Sequence, residues 1–158
     1  MSKKVWLMKS EPDVFSFDDL KKCKNSTEPW DGVRNYQARN FMRDEMKKGD
    51  YVLFYHSNCK VPGIVGLAKV AKEAYPDHTS WDPKSKYFDE KSSPDNPRWF
   101  MVEVKWYKAF KEVVSLNDMK DNPALSNMLV VKKGQRLSVQ PVEESDFKIV
   151  CQMGGVKP

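Results

Sequence analysis

Cysteine and histidine are scarce in this chain of 158 residues, which contains three cysteines and two histidines. Cys23, Cys59 and Cys151 lie far apart and form no Cys-x-x-Cys pair. The sequence therefore offers neither a disulfide framework nor the ligand spacing of a structural zinc site. We expect no metal, no cofactor, and a reducing intracellular setting.

Long apolar runs and glycine-rich phosphate loops are also missing. No segment is apolar enough over its length to span a membrane. The apolar run after Lys4 is broken too soon for a signal peptide. Neither G-x-x-x-x-G-K-[ST] nor G-x-G-x-x-G occurs, which argues against the common nucleotide-binding folds. We expect an intracellular protein without a membrane partner. It would be cytoplasmic in a bacterium, and in a eukaryote the nucleus is an alternative location.

Aromatic and basic residues are well represented. The chain is 40% hydrophobic and 12% aromatic, and its formal net charge is +5. This composition is typical of a folded globular domain. The positive charge favours an anionic partner, with nucleic acid first. The oligomeric state stays open.

One stretch, Trp30–Phe41, begins as a turn and continues as a helix. Asp31-Gly32 is a turn pair, and Asn35 is predicted to cap the helix that follows. The stretch places an aromatic ring, a carboxylate and an amide beside cations at a helix start, which suits recognition more than acid–base chemistry. A buried tryptophan next to a solvated basic helix face explains the same pattern.

Apolar runs and alternation predict five strands and several short helices. Ser16 and Ser115 are predicted helix caps, and a closing helix is expected over Glu143–Met153. The segment Tyr75–Pro97 is irregular, and both a functional loop and a surface insertion fit it. The order of elements favours an α+β fold with a curved, barrel-like mixed sheet and flanking helices. The predicted strands are Val5–Met8, Asp50–Ser57, Ile64–Ala71, Trp99–Tyr107 and Arg136–Gln140.

Catalytic motifs are weak. A triad can be drawn from Ser57, His56 and Asp31, but no nucleophile-elbow motif supports it. Cys59 near His56 is better explained as an inert thiol. By contrast, binding of a base requires aromatic faces for stacking and polar groups for hydrogen bonds to the base edge. The residues of these types are Trp30, Asp31, Asn35, Tyr55 and Ser57. We therefore expect a binding protein and not an enzyme.

Five motifs, in order, resemble the EVE domain family. They are Trp6-Leu7-Met8-Lys9-Ser10-Glu11-Pro12, Trp30–Asn40, Tyr55-His56-Ser57, Tyr75-Pro76-Asp77 and Arg136–Pro141. The resemblance covers nearly the whole chain, from about Val5 to about Val150. It implies a PUA-like fold related to ASCH and YTH domains, with residues 1–158 as a single EVE domain. It also implies a module that reads a modified base, such as 5-methylcytosine or 5-hydroxymethylcytosine.

The resemblance also implies a set of site residues. A similar order of motifs in YTH domains, which are associated with N6-methyladenosine in RNA, points to Lys9, Ser10, Glu11, Trp30, Asp31 and Asn35. The EVE pattern itself adds Tyr55, His56 and Ser57. Two alternatives remain: an RNA- or tRNA-associated PUA-like factor, and an enzyme acting on a nucleotide or small molecule.

The predicted site then has a pocket and a rim. We expect Trp30 to stack on an extruded base, with Tyr55 or Trp6 in the opposite wall. The base edge would be read by Ser10, Asp31, Asn35 and Ser57. A phosphate-binding rim is expected from Lys9, Arg34, Arg39 and Arg43.

Overall fold

A six-stranded mixed sheet forms the centre of the fold in a computed structural model, which describes residues 3–158. The strand order is β2-β5-β4-β3-β1-β6. Strand β1 pairs in parallel with β3, and every other neighbouring pair is antiparallel. The strands are β1 Val5–Ser10, β2 Thr27–Pro29, β3 Tyr51–His56, β4 Gly63–Pro76, β5 Phe100–Ser115 and β6 Val139–Val142.

The helices are short, and three of the four α-helices begin at side-chain caps that the sequence predicted. Ser16 forms a capping box with Asp19, and Asn35 and Ser115 each accept a backbone N–H of the following helix. Within residues 3–158, no helix is both long and apolar enough to cross a membrane. The helices are α1 Phe17–Lys22, α2 Tyr36–Asn40 with a π-turn over Phe41–Glu45, α3 Leu116–Asp121 and α4 Glu144–Met153.

The central strands are buried on both faces. Along β1, Trp6 and Met8 belong to one apolar cluster, whereas Val5 and Leu7 belong to a second cluster. Successive side chains of a strand point to opposite faces, so the two clusters lie on the two sides of the same sheet. This arrangement explains the continuous apolar run in the sequence, since a strand covered on both faces shows no polar alternation.

Three strand predictions need correction. Strands β4 and β5 extend well beyond their predicted ends, and a short strand that was not predicted, β2, precedes Trp30. The last strand is Val139–Val142, not Arg136–Gln140, and it includes Pro141. Strand β6 lies at the edge of the sheet, where a proline without an N–H can be tolerated.

The α+β class is confirmed, but the sheet does not close into a barrel. Among residues 3–158, the ladders run from β2 at one edge to β6 at the other without joining the two edges. Four register shifts interrupt the pairing of β4 with β5, and such bulges bend and twist strands. That the whole chain, residues 1–158, forms one domain stays a prediction.

Candidate functional site

A cavity of about 610 Å³ opens beside Trp30. Its walls come from the end of β1, the turn before α1, the loop entering α2, and the segment before β6. The volume is within the range of roughly 300–1,000 Å³ that is usual for small-ligand sites. Seven of the predicted site residues line it, namely Lys9, Ser10, Glu11, Trp30, Asp31, Arg34 and Ser57.

Trp30 is part of the core and part of the cavity wall. Its side chain is 8% exposed and belongs to the same apolar cluster as Trp6. The ring packs edge-on against Phe54 at 5.5 Å and against Phe15 at 6.5 Å between centroids. Its backbone N–H donates to the carbonyl of Val102 at 2.7 Å, which fixes the start of the loop against β5. The burial expected of a core tryptophan is confirmed, and the place of Trp30 in the cavity wall is compatible with base stacking, which stays a prediction.

Carboxylates and hydroxyls supply the polar lining. Burial raises the pKa of the Asp31 carboxyl, and the nearby Asp77 and Glu28 raise it further. The Ser10 hydroxyl donates to the carbonyl of Phe15 at 2.6 Å, so its oxygen lone pairs remain as acceptors. The cavity thus offers several acceptors to a ligand edge that carries N–H donors.

Besides Arg34, two further cationic side chains line the cavity. Lys9 lies at the end of β1, and burial lowers the pKa of its ammonium group. Its Nζ is 5.6 Å from the centre of the Tyr55 ring. Arg136 is exposed on the segment before β6. These side chains can hold an anion at the cavity mouth.

Arg34 is a tether within the protein. Its Nε and Nη2 donate to the carbonyl of Tyr87 at 3.1 and 2.6 Å. Its Nη1 donates to the carbonyl of Val33 at 2.9 Å and to Asp77 Oδ2 at 3.1 Å. All three side-chain nitrogen atoms of Arg34 are thus engaged within the protein, so its predicted place in a phosphate rim has to be corrected. Arg34 instead joins the loop before α2 to the segment that follows β4.

Asp77 anchors the same tether from a fully buried position. It accepts the N–H of Gly32 at 2.9 Å, and the N–H and hydroxyl of Thr79 at 2.9 and 2.5 Å. Burial alone would raise the pKa of this carboxyl. The hydrogen bonds from Thr79, Gly32 and Arg34 outweigh burial and hold the pKa below its ordinary value.

Tyr87 closes one side of the cavity. Its ring packs against Gly32, which has φ +78°, and a Cβ at that glycine would lie 2.6 Å from the ring. The irregular segment after β4 therefore supplies a wall of the site and is not a detached insertion. No local motif around Tyr87 indicated this role, because its position depends on the distant pairing of Arg34 with Asp77.

Three predicted pocket residues do not line the cavity. The Asn35 side chain accepts the N–H of Ala38 at 2.9 Å and is used as a helix cap. Tyr55 is buried in the cluster on the opposite face of the sheet from Trp30. His56 Nε2 accepts the N–H of Phe17 at 3.1 Å, and burial lowers its pKa.

The predictions for the wall opposite Trp30 and for the phosphate-binding rim also need correction. Trp6 donates from Nε1 to Asp50 at 3.0 Å, and neither it nor Tyr55 lines the cavity. Arg39 lies 4.7 Å from the ring of Tyr36. Arg43 forms an ion pair with its neighbour Asp44 at 2.8 Å, and both groups are exposed. Neither arginine lines the cavity, so any phosphate contact they make lies outside it.

The triad that the sequence allowed is not assembled at the cavity. His56 is occupied by the Phe17 N–H and does not line the cavity with Ser57 and Asp31. Burial raises the pKa of the Cys23 thiol, and likewise that of Cys151, to about 11 in each case. In the part of the chain that the structure describes, no group of three or more His, Cys, Asp or Glu could hold a metal ion.

A family model for the EVE domain matches residues 4–153, in agreement with the motifs. The chain belongs to the EVE family. Thymocyte nuclear protein 1 of Gallus gallus is 45% identical over 97% of this chain and 69% of its own length. The α+β, PUA-like fold expected from the sequence is confirmed by the solved structures that this EVE domain resembles.

Two solved structures show the closeness of the fold. A protein from Pseudomonas syringae is 44% identical with a TM-score of 0.90, covering 95% of this chain and 99% of that one. Human THYN1 protein, solved in complex with 5-methylcytosine-containing DNA, is 44% identical with a TM-score of 0.91, covering 99% and 100%. A Zygosaccharomyces rouxii YTH domain has a TM-score of 0.55 at 12% identity over 98% of this chain and 89% of its own, which shows a related fold alone.

Proposed function

We propose that this EVE domain binds nucleic acid and accommodates an extruded, modified base in the cavity beside Trp30. The base class is that of 5-methylcytosine or 5-hydroxymethylcytosine. The observation that carries the proposal is an indole forming the wall of a cavity of about 610 Å³ with carboxylate and hydroxyl acceptors around it. The human relative solved with 5-methylcytosine-containing DNA supports the same class of ligand.

Stacking accounts for the affinity of such a site. Removing a base from a duplex costs a few kcal/mol, and one aromatic stack returns about 1–3 kcal/mol. A single methyl or hydroxyl group discriminates only by about 10–200-fold. Trp30 should therefore contribute more to the affinity than any single hydrogen bond, while the modification is sensed by the shape of the surrounding wall.

The polar lining favours a base with an exocyclic amino group. Asp31 and Glu28 are carboxylates, and carboxylate oxygens accept hydrogen bonds from the amino group of cytosine. Ser10 and Ser57 complete the predicted edge-reading set, whereas Asn35 serves as a helix cap.

The phosphate contacts are assigned to cations at the cavity. Lys9 and Arg136 both line it, and nucleic-acid backbones are held mainly by such side chains. Arg39 and Arg43 stay candidates for contacts farther along the strand. Arg34 is excluded from this role because its donors are bound within the protein.

The test compares modified and unmodified oligonucleotides, in DNA and in RNA, for the wild type and for Trp30→Ala. We expect the variant to lose binding by about 5- to 150-fold, since one stack is worth about 1–3 kcal/mol. Trp30 is also core, so unfolding should become easier by about 3–5 kcal/mol. Binding is therefore measured at a temperature where the variant is folded.

Trp6→Phe is the matched control for lost stability. It removes the hydrogen bond to buried Asp50 without touching the cavity. It should lower the melting temperature and leave the affinity unchanged. Equal binding of modified and unmodified oligonucleotides by the wild type would refute the proposed function, and preference for modified RNA would favour the RNA-binding alternative.

We propose that the domain binds without chemical conversion of the base. The occupied His56 and the high pKa of the Cys23 thiol support this proposal. Mass spectrometry of the oligonucleotide after prolonged incubation should show no change of mass. A changed mass that depends on the protein would establish an enzyme instead.

We also propose an intracellular location with access to nucleic acid. The three cysteines are free in the structure, and the relatives at 43–45% identity carry the name thymocyte nuclear protein 1. Imaging of a tagged chain, or fractionation of its cells, tests this location. Recovery of the protein outside the cell would contradict it.

A further inference from the structure

The turn between β1 and α1 presents one apolar side chain to solvent at the cavity. Val14 is 58% exposed, the largest fraction among the large hydrophobic side chains that the structure describes. Several other such side chains are exposed in residues 3–158, but Val14 alone among them lines the cavity. A single exposed apolar side chain is common on protein surfaces, so the informative observation is that Val14 lies at the cavity.

The backbone around Val14 is held on both sides. The N–H groups of Val14 and Phe15 both donate to the carbonyl of Glu11 at 2.9 Å. The Phe15 carbonyl accepts the Ser10 hydroxyl, and Ser16 closes a capping box at the start of α1. A β-branched side chain has few rotamers, so Val14 is a short and stiff apolar projection from a fixed turn.

A base that leaves a duplex leaves a gap in the stack. Proteins that unstack a duplex often insert an apolar side chain between base steps, and this insertion offsets part of the unstacking free energy. A residue with this task has to be apolar, exposed before binding, and placed at the mouth of the cavity that receives the base. Val14 meets these three conditions.

The charges on the turn agree with contact to bases more than to phosphates. Glu11 and Asp13 closely precede Val14 and are exposed, and carboxylates repel the phosphate backbone. The cations of the cavity, Lys9 and Arg136, belong to other segments. The phosphate backbone of the nucleic acid would therefore be held on the side of Lys9 and Arg136, which leaves the turn to face the stacked bases.

We propose that Val14 is a positioning residue that enters the base stack of a duplex and occupies the gap left by the extruded base. The inference rests on the proposed function and deepens it, since it names double-stranded nucleic acid as the partner. A single strand has no opposing base stack to restore, so its binding does not need this side chain.

The experiment measures the affinity of the wild type and of Val14→Ala for a 5-methylcytosine duplex and for its modified single strand. Val14→Ala should weaken duplex binding roughly tenfold and leave single-strand binding within about twofold. In a duplex with 2-aminopurine beside the modified base, the fluorescence increase on binding should be smaller for Val14→Ala. The controls are Val61→Ala and Val113→Ala, since both valines are exposed but do not line the cavity.

The outcomes separate this inference from the proposed function. A loss confined to the duplex supports the role of Val14. Equal effects on both substrates, or no effect, overturn it while the proposed function stands. Wild-type binding to the single strand only also overturns it and keeps the proposed function. Failure of the wild type to bind either modified substrate refutes the proposed function and this inference with it.

Discussion

The role of Arg34 can be decided by one substitution, Arg34→Gln, measured in two ways. If Arg34 held a phosphate, its loss would reduce the salt dependence of binding by about one unit of slope, with little effect on stability. As a tether within the protein, its loss should instead destabilise the fold and weaken binding while the slope stays unchanged. The structure predicts the second result.

The magnitude follows from the contacts that would be broken. Arg34 makes four hydrogen bonds of 2.6–3.1 Å, one of them to the fully buried Asp77. Removing one partner of a buried ion pair costs about 3–5 kcal/mol. The Arg34 side chain is 24% exposed, and Asp77 retains its bonds from Gly32 and Thr79. We therefore expect a loss of about 2–3 kcal/mol of unfolding free energy.

The assay combines urea denaturation with binding measured across a series of salt concentrations. Arg136→Gln is the matched control, because Arg136 is exposed and lines the same cavity. It should reduce the slope by about 0.9 and leave the denaturation midpoint within error. If Arg34→Gln reduced the slope of the salt dependence and left stability unchanged, the role of Arg34 as a tether would be refuted and its role as a phosphate contact would be supported.

Two further predictions concern the contact between Gly32 and Tyr87 in the cavity wall and the pH dependence of the unfolding free energy. Gly32→Ala should destabilise the protein more than Gly134→Ala and also weaken binding, because both glycines have positive φ but only Gly32 contacts Tyr87. Equal unfolding free energies for the two variants would contradict this contact. Burial lowers the pKa of His56, so the folded state protonates less readily than the unfolded state. Unfolding free energy should therefore fall as the pH drops below about 6.5, and this fall should be smaller in His56→Gln, which urea denaturation at several pH values would measure.

Local patterns in the sequence predicted much of the fold. The caps at Ser16, Asn35 and Ser115 depend on residues within three positions, and all three occur as expected. The continuous apolar run of β1 correctly indicated a buried strand. The bounds of β6 were missed because Pro141 normally ends a strand, and only the sheet order reveals that β6 is an edge.

The site was predicted where its residues belong to recognisable motifs, and missed where distant contacts create it. Trp30, Asp31 and Ser57 line the cavity as expected. Tyr55 does not, because strand alternation beyond Phe54 turns it to the other face of the sheet. Tyr87 was missed because a hydrogen bond across 53 positions brings it to the cavity.

The double role of Trp30 links recognition to stability in this fold. Phe15 and Phe54 pack against its indole at interplanar angles of 83° and 85°, so the orientation of the ring face proposed to meet a base is fixed before the ligand arrives. Fixing a binding group in advance reduces the entropy lost on association. The same packing means that a change in the core under Trp30 also tilts this face. Variants of Phe54, which does not line the cavity, should therefore alter affinity through the orientation of Trp30 and not through contact with the ligand.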